Sequence, residues 1–88
     1  MTEAEVRSQL RKYITENFLY MRRDLQLGDD DSLLRKGVID SLGVMELLGF
    51  VEETFGLHVE VSDITEENFG TVNAIARYVA GRMTSAKA

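Results

Sequence analysis

The chain has no cysteine, no proline and no tryptophan, and one histidine in 88 residues. Without cysteine there is no disulfide framework and no thiolate metal site, and any thiol chemistry must arrive on a prosthetic group. A single histidine with no partner ligand nearby makes His58 a surface or core-edge residue, not a base or metal ligand. No apolar run reaches the roughly 20 residues that a membrane span requires. The N-terminus lacks the basic-then-apolar order of a signal peptide. The expectation is a soluble cytoplasmic domain, monomeric, with no membrane span.

Basic residues are missing from one long stretch. Between Val38 and Gly70 there are eight carboxylates (Asp40, Glu46, Glu52, Glu53, Glu60, Asp63, Glu66, Glu67) and no lysine or arginine, against a net charge of −5 overall. Nucleic acid, which needs a basic face, is not an expected partner. An acidic field of this kind steers toward basic partners. Hydrophobic residues make up 44% of the chain, enough for a core. A chain this short buries only about 60–65% of its unfolded surface, so its stability should be modest. No repeat, low-complexity tract or internal boundary divides it, and residues 1–88 read as one domain.

The apolar pattern is helical. Val6, Leu10, Tyr13, Ile14 and Phe18 form a stripe at helical spacing, which predicts a first helix from about Glu3 to Leu19 with Thr2 and Glu5 at capping-box positions. A long connection follows from Met21 to Asp40. Its Leu25, Leu27, Leu33, Leu34, Val38 and Ile39 should fold it onto the core. Asp29, Asp31 and Leu33 lack the glycine and closing glutamate of an EF-hand loop. The second helix is expected from Ser41 to Phe55, with Gly56 ending it. Residues 57–61 alternate but have no partner strand, and read as an extended connector. Ser62 or Asp63 should cap a short third helix ending near Phe69-Gly70, with Asp63 and Glu66 at capping-box spacing. Thr71 caps a fourth helix to about Met83, and Thr84 to Ala88 should fray.

The run Gly37-Val38-Ile39-Asp40-Ser41-Leu42 is the chemical centre of the sequence. It puts one serine hydroxyl at a helix start, where free N–H groups and the helix dipole favour a phosphate ester. A helix turns about 100° per residue. Val44, Leu47, Leu48, Val51 and Phe55 therefore face the core, and Leu42, Met45, Glu46, Gly49, Glu52 and Glu53 face away. Leu42 and Met45 either dock a partner or pack under the long loop. No Ser-His-Asp set is credible, because nothing orients Ser41 toward His58. The chain is expected not to be an enzyme.

These residues resemble the acyl carrier protein and peptidyl carrier protein family. The match runs through Gly37-Val38-Ile39-Asp40-Ser41-Leu42, Glu46-Leu47-Leu48, Val51-Glu52-Glu53-Thr54-Phe55-Gly56 and Asn68-Phe69-Gly70-Thr71-Val72. The resemblance implies an all-α four-helix bundle with a short third helix and a long helix 1–2 loop. It implies that Ser41 receives 4′-phosphopantetheine from coenzyme A through a magnesium-dependent phosphopantetheinyl transferase. The terminal thiol would hold an acyl or aminoacyl group as a thioester. Asp40 and Leu42 would flank that attachment site, with Asp40 orienting it and meeting the transferase's metal. Leu42, Met45, Glu46, Glu52, Glu53, Asp63 and Glu66 would meet basic partners: the transferase, an acyl- or aminoacyl-adenylating ligase, and downstream acyl-processing enzymes.

Gly43 and Val44 depart from the acidic and polar residues usual after Asp-Ser-Leu in fatty acid biosynthesis carriers. No proline stands in residues 57–61. Ile39 and the segment Glu16-Asn17-Phe18-Leu19-Tyr20 are similar to free-standing carriers that serve adenylating ligases. The resemblance thus favours a specialised lipid, polyketide or nonribosomal-peptide-like pathway over housekeeping fatty acid synthesis. A helical interaction module with an unmodified Ser41 is the alternative from another class.

Overall fold

The computed structural model describes residues 2–19 and 26–86. Leu25 and the start of the long connection lie outside the described residues, as do Lys87 and Ala88. Four α-helices make up the fold, and no strand occurs among the described residues: α1 (Glu3–Ile14), α2 (Ser41–Phe55), α3 (Glu66–Phe69) and α4 (Val72–Ala86). A five-residue π turn, Thr15–Leu19, continues α1, and a single 3₁₀ turn, Val61–Asp63, precedes α3. The first helix therefore does reach Leu19, but its last turn widens. No helix among the described residues is long and apolar enough to cross a membrane.

Local signals explain most boundaries. Thr2 caps α1 through the Glu5 N–H, and the Glu5 carboxylate accepts the Thr2 N–H in return, the reciprocal box read from the spacing. Gly56 ends α2 in the left-handed conformation, at φ 65°, that a side chain would strain. Helix α4 runs through Ala86, three residues past the Met83 expected from the sequence.

The third helix differs from expectation. Thr65 is its cap, accepting the Asn68 N–H, and neither Ser62 nor Asp63 plays that part. Ile64 leaves helical geometry between the 3₁₀ turn and α3. The Asp63 carboxylate accepts a hydrogen bond from the Tyr78 hydroxyl at 2.8 Å and faces Arg82 at 3.5 Å. A carboxylate turned to α4 cannot also cap α3.

The core gathers Val6, Leu10 and Ile14 from α1, Leu47, Leu48, Val51 and Phe55 from α2, Phe69 from α3, and Val72, Ile75, Ala76 and Val79 from α4. Helix α1 packs most extensively on α4. Leu27, Leu33, Val38 and Ile39 of the long connection and Val59 of the 57–60 connector are buried with them. Leu34 is the exception among the described apolar residues of the connection, 47% exposed. Val44 is half-buried at the edge of the core. Each buried aliphatic side chain contributes about 1.5–3 kcal/mol. The loop's exposed ion pairs, Arg11 with Asp29 and Lys36 with Asp31, are screened by solvent and contribute little beside this burial. Apolar burial, not charge, holds the loop down.

One polar residue joins three elements. Asn73 on α4 accepts from Arg7 Nε at 2.6 Å, donates to Asp30 Oδ1 at 2.8 Å, and gives its backbone N–H to the Asp29 carbonyl at 3.0 Å. This clasp and the Leu33 N–H bond to the Gly70 carbonyl fix the loop across α1, α3 and α4.

Candidate functional site

Gly37 turns the chain at φ 71°, a conformation glycine adopts without strain. The Leu33 carbonyl accepts the Val38 and Ile39 N–H groups, and both side chains enter the core. Asp40 follows in extended geometry and caps α2, its Oδ1 taking the Gly43 N–H at 2.7 Å. Ser41 is the first helical residue and is exposed. The N–H groups of Ser41 and Leu42 open the helix, so no carbonyl one turn earlier can take them. Exposed hydroxyl, free donors and the positive end of a 15-residue helix together suit a phosphate ester. The residues present fit such a group.

The outward face of α2 is as the wheel predicts at its start. Leu42 is 70% exposed and Met45 61% exposed. Neither packs under the loop. Glu46, Gly49 and Glu53 are exposed beside them. Glu46 and Glu53 have no ion-pair partner among the described residues. The structure thus brings Asp40, Ser41, Leu42, Met45 and Glu46 together within the first two turns.

The remaining acidic candidates are held by the chain itself. Glu52 is half-buried, accepts the Val59 N–H at 2.8 Å and lies 3.2 Å from His58 Nδ1. Asp63 answers Tyr78 and Arg82, as above. Glu66 accepts the Ser32 hydroxyl at 3.1 Å. His58 is an exposed residue beyond the C-terminal end of α2, while Ser41 begins that helix. Fifteen residues at about 1.5 Å each separate them by roughly 22 Å, which rules out a Ser-His pair.

Two openings flank the start of α2. On the α1 side a cleft of about 290 Å³ is lined by Phe18, Gly37, Val38, Asp40, Leu42, Gly43 and Glu46. On the α3 side a notch of about 130 Å³ lies among Leu34, Val44, Ile64, Thr65, Glu66 and Phe69. Phe18 and Gly43 were not singled out as site residues from the sequence. The absence of a side chain at 43, one residue past the Ser41-Leu42 pair, is the signal that could have found them. Gly43 is buried, and a Cβ there would stand 3.0 Å from Ile39 Cγ2 and 3.2 Å from Phe18 Cε1.

Tyr13 links this flank to the rest of α2. Its ring stacks on Phe50 at 3.9 Å and meets Phe18 edge-on at 5.9 Å. Partial burial, and then the nearby Glu46 carboxylate, raise its phenol above the ordinary value.

Comparison with known proteins agrees with this geometry. A family model described as "Phosphopantetheine attachment site" matches residues 8–79, which take in Asp40, Ser41 and Leu42. The chain is 34% identical over 71 residues to a protein of Streptococcus suis named D-alanyl carrier protein, covering 81% of this chain and 86% of that one. It is 32% identical over 71 residues, at the same coverages, to the protein of that name from Streptococcus mutans. With the one from Streptococcus pyogenes serotype M5 it shares 36% identity over 61 residues, 69% of this chain and 76% of the relative.

Proposed function

The chain belongs to the phosphopantetheine attachment family, and from that premise we propose that Ser41 is the residue modified and that the cargo is an aminoacyl group. As a member it is a carrier, not an enzyme: it bears covalent 4′-phosphopantetheine and is itself the substrate of a phosphopantetheinyl transferase. When bound, the arm supplies the thiol that this cysteine-free chain lacks, and so a thioester for acyl or aminoacyl groups.

The observation that carries the assignment of Ser41 is its place as the exposed first residue of α2, capped by Asp40, inside the span matched by the family. The chain's own residues contribute presentation. Asp40 satisfies the Gly43 N–H and so leaves the Ser41 and Leu42 donors for a phosphate. Leu42 and Met45 offer apolar contact, and Glu46 and Glu53 offer charge, to enzymes with basic docking surfaces. Glu52 and Asp63 shape the far end of that surface, and Glu66 the α3 side of its start, through their internal bonds.

Cargo is the finer part of the proposal. The relatives named above are D-alanyl carriers. That favours a small aminoacyl group, activated by an adenylating ligase in a dedicated pathway, over a fatty acyl chain. Coexpression with a broad-specificity phosphopantetheinyl transferase tests the first part: intact mass should show one pantetheine adduct, absent in Ser41→Ala. An adduct that persists in that variant, or none in wild type when a control carrier is converted, refutes it. The adenylating ligase encoded nearest the gene, offered D-alanine, other amino acids and fatty acids, should then load an amino acid. Loading of a fatty acid alone refutes the second part.

A further inference from the structure

The two openings beside α2 offer different routes for an arm that starts at Ser41. We propose that the α1-side cleft, under Phe18, seats the branched segment next to the arm's phosphate, the one with two methyl groups on a single carbon. The arm would then run over the α1 flank of α2, not across α3. The inference rests on Ser41 being the attachment residue.

Position favours this cleft. Its lining takes in Asp40 and Leu42, the residues on either side of Ser41, whereas the α3-side notch reaches α2 only at Val44, nearly a turn further on. Size favours it too. A water molecule's share of liquid volume is about 30 Å³. The cleft of about 290 Å³ is more than twice the notch of about 130 Å³, and both exceed that share. A quaternary carbon with two methyls, a hydroxyl and an amide beyond it needs the larger space.

The lining also matches the chemistry of that segment. Phe18, Val38 and Leu42 provide apolar wall for the methyl groups. Asp40 and Glu46 provide carboxylate oxygens to accept from the segment's hydroxyl and amide N–H, Asp40 having one oxygen left after Gly43 takes the other. Two backbone features shape the space. The wider π turn carries Phe18 against the start of α2, and Gly43 has no Cβ to close the gap beneath that ring. With a side chain at 43, Phe18 and Ile39 would have to move.

The test uses the whole holo-protein, prepared with coenzyme A and a phosphopantetheinyl transferase and checked by intact mass. Failure to form the adduct on Ser41 defeats the reading beneath this one, and this one with it. With the adduct present, isotope-filtered NMR on a labelled arm reports where its geminal methyls lie. They should show cross-relaxation to the Phe18 ring and Val38 methyls and be shifted upfield by the ring. In Phe18→Leu, folded by circular dichroism and melting, that upfield shift should vanish while the adduct still forms. Contacts to Ile64 and Phe69 instead would overturn the inference. Methyl shifts equal to those of free pantetheine would overturn it equally.

Discussion

The carboxylate of Glu52 accepts the backbone N–H of Val59 at 2.8 Å, tying the last turn of α2 to the connector beyond it. Its neighbour Glu53 is exposed and makes no such bond. Side by side on one helix, the two acids have different duties. Hydrogen bonds to a charged acceptor contribute about 1.5–3 kcal/mol when buried, and less at a half-exposed site. Glu52→Ala should therefore lower unfolding stability by about 1 kcal/mol, whereas Glu53→Ala should change it by less than about 0.5 kcal/mol. Urea titrations of both variants check this, and equal losses would contradict it.

Glycine at 43 and at 49 should respond in opposite directions. Both lie within α2, where alanine is intrinsically favoured by about 1 kcal/mol. At Gly49 a Cβ meets nothing within 4 Å, so Gly49→Ala should stabilise by up to that amount. At Gly43 the Cβ would press on Ile39, Phe18 and the capping Asp40 at 3.0–3.3 Å. Ile39 is buried in the core and Asp40 is held by its cap, so neither yields freely. Gly43→Ala should lower the melting temperature and Gly49→Ala raise it.

Stability should fall at both ends of the pH range. Burial first, and then its hydrogen bond to Asp63, raise the Tyr78 phenol above its ordinary 10.0. Burial first, and then Glu46, raise Tyr13 in the same direction. Their contributions are complete below the ordinary phenol value and are lost as pH climbs through the raised values. At the acid end, the Thr2 N–H and then its hydroxyl hold Glu5 below 4.5, and the Gly28 N–H holds Asp31 below 3.8. Those contributions are present above the ordinary values and are lost as pH falls through the lowered ones. Denaturant midpoints should drop below about pH 4 and again above about pH 10. Tyr78→Phe should lower the plateau and shallow the alkaline fall.

Salt should stabilise the protein. Asp40, Glu46, Glu53 and Glu67 have no ion-pair partner among the described residues, and no lysine or arginine stands between Val38 and Gly70 to offset them. Among the described residues Arg82, from α4, is the one guanidinium bonded to a carboxylate of this acidic stretch, at Asp63. Screening shortens the reach of the remaining repulsion to about 10 Å at 0.1 M. The melting temperature should rise by a few degrees, roughly, with added sodium chloride or magnesium. A melting temperature indifferent to both would count against self-repulsion in this block.

How much of this was legible depends on how local each decision is. Helix α2 could be read to the residue, because Asp40 and Gly56 bracket it with signals that act within one turn. The start of α3 could not. Asp63 has a local role as a cap and a distant one with Tyr78 and Arg82, 15 and 19 residues away, and the distant one wins. Sequence spacing shows only the first. The widening of α1 at Thr15–Leu19 leaves no mark on the apolar stripe, whose spacing up to Phe18 reads as an ordinary α-helix. The Phe18–Gly43 contact joins residues 25 apart and belongs to tertiary structure alone. The serine and its acidic neighbour were legible for the opposite reason: their place is set by a cap three residues long.

The pairing of α1 with α4 has a consequence for synthesis. Val6, Leu10 and Ile14 are made well before much of what covers them, including Val72, Ile75 and Val79. Arg7 likewise waits for Asn73. Until α4 has left the ribosome, α1 carries its apolar stripe without its main partner, and the core closes late. Nascent chains arrested before α4 should remain open to protease, whatever helix they have already formed.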